Sequence, residues 1–184
     1  MNEKIYPGMI DQGVEFFLNG SDFKIIQNGS IKPFNEIPLS ISQMLKEEIS
    51  RLPAVEQALL EMQPDSKIKR IEQFAKCRFG GLDLEADIID GILQDGEYWP
   101  CPLHGSCKHE GTLCKLPIYN GTRLTKSDVQ LMQESCTDKT NDVIADDLHM
   151  AYGTFHQSKK YLHRKLGVQT KQAIAIIAMN LNIL

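Results

Sequence analysis

From Leu124 to the C-terminus, apolar residues recur at helical spacing in four short runs separated by turn residues. A stretch divided this way has room for little besides four short helices around one small core. The first run, Lys126–Ser135, has Val129, Leu131, Met132 and Ser135 for an inner face. Thr125 precedes Asp128 by three, a capping-box arrangement with Asp in place of Glu. A second helix, Thr140–Leu148, is expected to bury Val143, Ile144, Ala145 and Leu148. After a turn at His149–Tyr152, a third helix, Thr154–Leu166, turns Phe155, Tyr161, Leu162 and Leu166 inward. His156, Gln157, Lys159, Lys160, His163 and Arg164 are then left largely outside. A fourth helix, Lys171–Leu181, is apolar around much of its circumference.

A helix that steadies a following one, whose outer face carries hydrogen-bond donors, is what reading the major groove of double-stranded DNA requires. Lys and Arg neutralise phosphates and release counterions, and Gln can bond adenine through two contacts. The stretches Leu124-Thr125, Asn141 with Ile144-Ala145, Leu148, Thr154-Phe155, Arg164-Lys165-Leu166-Gly167-Val168, and Lys171 with Ala173 carry a further signal. Together they resemble the LuxR/GerE-type helix-turn-helix family over residues 124–180. The resemblance implies a four-helix DNA-binding domain with Thr154–Leu166 as recognition helix. It implies base contacts from His156, Gln157 and Lys160, and backbone contacts from Thr140, Asn141, Thr154 and Lys171. Lys159 and Arg164 add charge on the same helix. The resemblance also implies a homodimer through the fourth helix, where Ile174, Ile177 and Leu181 fall on one side. Packing of these residues on the N-terminal half is the alternative. Four positions depart from the family pattern: Ser127 for Arg, Asp138 for a turn Gly, Ala151 for an N-cap Ser and Ser158 for His.

Ahead of this domain the pattern differs. Phe23–Gln27 and Ser30–Phe34 flank Asn28-Gly29, a strong hairpin signal, and Pro33 restricts the second strand to an edge. Ile41, Met44, Leu45, Ile49 and Leu52 follow a helical series that Pro53 ends. Pro53 opens a second helix with Val55, Leu59 and Met62 on one face, and Ile68, Ile71 and Phe74 mark a third. Leu84–Gln94 is expected to be a fourth helix. The predicted fold is therefore mainly α. A small N-terminal helical domain with a candidate β-hairpin (1–95) leads through a cysteine-rich loop (96–121) to the helix-turn-helix domain (122–184).

The loop has too few periodic apolar residues to order itself around a core. It holds Cys101, Cys107 and Cys114 at C-x5-C-x6-C spacing, with Cys77 upstream. Four thiols, or three with His104 or His109, suit a structural Zn2+ site, and four thiols suit a [4Fe–4S] cluster, where the Cys101-Pro102 pairing is also familiar. The absence of C-x2-C knuckles leaves the choice of metal, or of no metal, open. His104 and His109 are expected outside the ligand set, and Cys136 to pack as a small apolar residue. The segment faintly resembles cysteine segments beside helix-turn-helix domains in regulators from Bacteroidetes and their mobile elements.

Whole-chain charge is −4, but unevenly spread: eight Lys/Arg against six Asp/Glu from Thr122 onward, and twelve against eighteen before it. A mildly basic module joined to an acidic one fits this split. The opening MNEKIYPGMIDQG lacks the layout of a signal peptide, and no apolar run suits a bilayer, so a cytoplasmic protein without membrane partners is expected. The strand–helix alternation of a receiver domain is missing. HExxH, P-loop, GxSxG and dinucleotide motifs are missing too, which argues against an enzyme. The leading expectation is a DNA-binding transcription regulator. An adaptor that uses the helix-turn-helix for protein contact, or a small metalloenzyme, is the alternative.

Overall fold

The computed structural model describes residues 4–184. Residues 1–3, part of the stretch read for a leader, lie outside the described residues. The chain divides into two compact units. One comprises the residues up to Cys101 together with Cys107–Lys115, and the other Pro102–Ser106 with Leu116–Leu184.

The N-terminal unit begins with strands β1 (Val14–Asn19), β2 (Asp22–Gln27) and β3 (Ser30–Pro33) and a single 3-10 turn, Phe34–Glu36. Helices α1 (Leu39–Ser50), α2 (Pro53–Met62) and α3 (Lys67–Arg78) follow, then short strands β4 (Ile88–Ile89) and β5 (Ile92–Leu93). The strands form one antiparallel sheet in the order β3-β2-β1-β4-β5. The unit adds a five-stranded sheet to its helices, so the mainly α expectation holds only loosely. Two physical features hid the sheet. β1 is covered on both faces, with Val14, Glu15, Phe16 and Phe17 all buried, so it shows no apolar–polar alternation. The expected helix over Leu84–Gln94 is instead the β4–β5 hairpin, turned at Asp90-Gly91 with φ of 51° and 74°. Positive φ at both positions defines the turn whose twist matches paired strands. The anticipated Asn28-Gly29 turn has the same form, with φ of 51° and 71°, and Pro33 does lie on an edge strand.

Val14 and Phe16 of β1 and Phe23 and Ile25 of β2 face a core completed by the helices. Five rings knit it together: Phe16 lies 6.0 Å from Phe23, Phe34 and Phe79, and Phe74 meets Phe79 edge-on at 6.4 Å.

The C-terminal unit opens with a small hairpin, β6 (Ile118–Tyr119) and β7 (Thr122–Arg123), around Asn120-Gly121, again with two positive φ values. Helices α4 (Lys126–Ser135), α5 (Asn141–Asp147), α6 (Tyr152–Leu166) and α7 (Lys171–Asn180) follow. The capping box at α4 is present in full: the Thr125 hydroxyl accepts from the Asp128 amide, and the Asp128 carboxylate accepts from the Thr125 amide. Leu124, Val129, Leu131, Met132, Ile144, Phe155, Leu162 and Leu166 are buried, as their spacing requires, whereas Ile174 and Ile177, read as a dimer face, are buried within the single chain, where α7 packs on α4. Val143 and Tyr161 are exceptions, exposed where burial was expected. Among the described residues no helix is long and apolar enough to cross a membrane.

Candidate nucleic-acid interface and cysteine cluster

Helix α6 is held from below by Phe155, Leu162 and Leu166, all buried. It ends at Gly167, whose φ of 68° places it in the left-handed region that a β-carbon disfavours. The Val168 amide then donates to the His163 carbonyl at 3.0 Å, and the His163 ring turns to the Val168 carbonyl. His163 is therefore engaged in closing the helix and is half-buried. On the opposite side, His156, Gln157, Lys160 and Arg164 are exposed along one stripe, with Thr154 exposed in the first turn. The His156 ring packs edge-on against Tyr152 at 4.3 Å, which limits its rotamers. Ala151 provides no side-chain cap, as its replacement of the family's Ser implies.

The residues expected at the DNA backbone form a second group. Thr140 caps α5 by position, Asn141 begins it, and the Lys159 ammonium donates to the Asn141 carboxamide oxygen at 2.9 Å. Burial, and then the nearby charge of Lys171 at the start of α7, lowers the Lys159 pKa. Lys159 thus sits with Thr140, Asn141 and Lys171, apart from the outer stripe of α6.

Between α4 and α6 lies a groove of about 570 Å3. Lys160, Arg164 and Gln157 line it with Ser127, Ser158 and Tyr161. Ser127 and Ser158 are two of the family departures, and their short side chains help leave the groove open. Sequence reasoning also missed the ion pair beneath it. The Lys165 ammonium donates to the Asp128 carboxylate at 2.6 Å, with the side chains 11% and 10% exposed. Burial pushes the Asp128 carboxyl up, but Lys165 and Thr125 outweigh it and hold its pKa below the usual range. The pair ties α4 to α6 and so fixes the angle at which the outer stripe is presented. Its signal was the capping-box Asp, which does two tasks with one carboxylate.

In the N-terminal unit, Cys77 lies in the last turn of α3, and Cys101, Cys107 and Cys114 belong to the same unit. All four are half-buried. Burial pushes the Cys77 thiol up to about 11, and Cys114, Cys101 and Cys107 act in the same direction. Cys77 Sγ accepts from Gln73 Nε2 at 3.2 Å, and Cys114 Sγ accepts from the Gly111 amide at 3.3 Å. Among the described residues, no three His, Cys, Asp or Glu side chains are close enough to hold a metal ion as they stand. The segment is also better anchored than its composition suggests. Trp99 is buried against Gly80, where a β-carbon would come within 2.4 Å of the indole, and Leu113 enters the core. His109 turns toward Glu61 on α2, at 3.6 Å, and Cys136 caps α4 in the other unit.

A further polar feature lies beside β1. Glu15 is 1% exposed; its Oε1 accepts from the Asp83 amide at 3.0 Å, while Oε2 has no hydrogen-bond partner. Asp87 accepts from the Phe16 amide and Glu97 from the Gly81 amide. Burial, reinforced by neighbouring carboxylates, pushes Glu15 up to about 8 and Asp87 and Glu97 to about 9.

Residues 122–178 match the family described as bacterial regulatory proteins, luxR family. No curated protein and no solved structure matches the chain. The capped four-helix arrangement and the matched family agree: the C-terminal unit carries a LuxR-type helix-turn-helix domain, the DNA-binding element of regulators rather than of enzymes.

Proposed function

We propose that the chain is a sequence-specific DNA-binding transcription regulator that reads the major groove of double-stranded DNA with α6. The observation that carries this reading is the exposed stripe of His156, Gln157, Lys160 and Arg164 over a buried apolar face. Gln157 and Lys160 are the base-reading pair, and His156 is held beside them by Tyr152. Thr140, Asn141, Thr154 and Lys171 take phosphates, with Lys159 oriented by Asn141. A homodimer uses the outer side of α7, where Ile176 and Met179 are exposed one turn apart. Sedimentation at micromolar concentration distinguishes it from a monomer.

Operators selected from a random pool provide the test. Lys160→Ala is expected to weaken binding by about 1–3 kcal/mol, relaxing sequence preference if Lys160 touches a base. Lys171→Ala is expected to weaken all sequences alike and to lower the slope of log affinity against log salt by about 1. Unchanged affinity in Lys160→Ala overturns the α6 assignment. Absence of any salt-steep DNA binding overturns the regulator reading in favour of an adaptor.

The N-terminal unit is, in the same proposal, ordered by a thiophilic metal on Cys77, Cys101, Cys107 and Cys114. Four thiols in one unit, two already accepting N–H hydrogen bonds, are a donor set suited to zinc or to an iron–sulfur cluster. Metal would draw the loop sulfurs onto Cys77. Zinc and labile-sulfide analysis of protein purified without oxygen separates the two metals. Cys107→Ser is expected to lower metal content and stability together, and unchanged values for both overturn the metal reading.

A further inference from the structure

We infer that the three helices of the N-terminal unit form a binding site for a small organic acid, a carboxylate carried on a short apolar body. The site needs neither the DNA-binding nor the metal reading above.

The last turns of α1, the first turns of α2 and the first turns of α3 enclose a cavity of about 250 Å3. Ile49, Leu59 and Ile71, one from each helix, are buried and make its apolar floor. Lys46 and Lys67, both exposed, and Arg70, half-buried, stand around that floor, and Glu56 is the one carboxylate of the lining. Among the described residues neither lysine has a carboxylate partner. Arg70 is fixed in place, because its Nη1 donates to the Gln63 carbonyl at 2.7 Å and to the Pro64 carbonyl at 2.9 Å. The other N–H groups of the guanidinium are left for a ligand. The Ser50 hydroxyl donates to the Lys46 carbonyl at 3.0 Å, so the cations are the donors that meet a head group.

The charge of the cavity runs against its surroundings. Up to Gly121 the chain has twelve Lys/Arg against eighteen Asp/Glu, yet the cavity has three cations against one acid. A polyanion such as DNA would meet the wider negative field, whereas a single head group is screened from charges beyond about 8 Å. A buried apolar floor is also of no use to a sugar–phosphate chain, but it favours an apolar body removed from water. The volume falls below the roughly 300–1,000 Å3 of pockets for drug-sized ligands, so the occupant is small. In so small a space a compact planar carboxylate, matched to the Arg70 fork, leaves the floor to carbon, and a bulkier phosphate head does not.

The test titrates the isotope-labelled full chain with hexanoate and follows backbone amide shifts by NMR. Saturable shifts confined to the residues lining the cavity are expected. Hexanamide, of the same size but neutral, is expected to bind about tenfold more weakly, and acetate, a head without a body, not to saturate. Lys67→Glu is expected to weaken hexanoate binding about 5- to 10-fold, and Glu56→Gln to strengthen it about 2- to 3-fold. Lys32→Glu, on β3 and outside the lining, is expected to leave the affinity unchanged. All three positions are exposed, and a Glu suits the first turn of α3, so the fold is retained, which unchanged Trp99 emission verifies. Equal affinities for hexanoate and hexanamide, or equal losses in Lys67→Glu and Lys32→Glu, overturn the anion site. Tighter binding of hexyl phosphate than of hexanoate overturns the carboxylate assignment in favour of a phosphate monoester. Absence of saturation by hexanoate up to about 10 mM, or shifts that map outside the cavity, overturns the site itself.

Discussion

The two compact units achieve order by different means. In the C-terminal unit nearly every determinant is local: Thr125 caps α4, Gly167 ends α6, Thr170 caps α7, and each helix buries one stripe. Its polar ties between distant residues include the Asp128–Lys165 pair, Gln133 donating to the Ile183 carbonyl, and Lys159 donating to Asn141. The N-terminal unit depends on distant partners. β1 pairs with β2 and with β4, which is separated from it by three helices, and Asp87 accepts from the Phe16 amide 71 residues away. Arg78 reaches the carbonyl of Leu113, and four acidic side chains converge beside one strand. Local determinants can be recognised residue by residue, whereas convergent ones become visible only when the chain has closed on itself.

The largest expected effect tests the buried ion pair of the C-terminal unit. Asp128→Ala leaves the Lys165 ammonium buried without its partner and removes half of a capping box. A loss of about 3–5 kcal/mol is expected, because breaking a buried pair strands a charge. Denaturation followed by far-UV circular dichroism measures it. The only tryptophan, Trp99, reports on the N-terminal unit, and its transition is expected to keep its midpoint. A shift of both transitions would break the contrast between the units. The same pair gives the C-terminal unit an acid limit. Because the folded Asp128 pKa is depressed, its contribution is present above the ordinary aspartate range and is lost as pH falls through the folded value.

The N-terminal unit is expected to respond to pH in the opposite sense. Glu15, Asp87 and Glu97 have folded pKa values raised to about 8, 9 and 9, so the native unit holds protons that the unfolded chain releases. Their contribution is fully present below the ordinary carboxylate range and is lost as pH rises through 8 to 9. The Trp99 midpoint in denaturant should therefore fall between pH 5 and pH 9. Glu15→Gln should flatten this profile, and an unchanged slope would remove Glu15 from the account.

The smallest effects concern the turns. Gly91→Ala and Gly121→Ala each place a β-carbon at positive φ, 74° and 72°, in open space. Each should cost about 1–2 kcal/mol through backbone strain alone. Equal costs in the two units would show that hairpin chemistry is shared. A far larger cost at Gly91 would mean that the β4–β5 turn also sets the position of the acidic side chains beside β1.

The C-terminal helices were legible because 3.6-residue periodicity, capping pairs and a terminal Gly act within a few residues of each other. Even there, Val143 and Tyr161 fit the apolar series yet remain exposed, since periodicity fixes a face and not how much of it is covered. In the N-terminal unit the Asn28-Gly29 turn was legible, while the equivalent Asp90-Gly91 turn was read as helix. Its strands are only two residues long, too short for alternation to register. Of the candidate site residues, the sequence placed Gln157, Lys160 and Arg164 on one exposed face. It did not reveal that Lys159 is held by Asn141, or that Arg78 donates to the Leu113 carbonyl.

Local chemistry in the sequence therefore determined the four C-terminal helices, the outer stripe of α6, the Asn28-Gly29 turn and the identity of the four thiols. Each depends on backbone preferences or side-chain types that act over a few residues. Only the tertiary structure decided that β1 lies inside a five-stranded sheet, that Asp128 meets Lys165, and that acids gather beside Glu15. Those outcomes depend on which distant segments become neighbours when the core closes, and the energies that bring them together are shared across the whole unit.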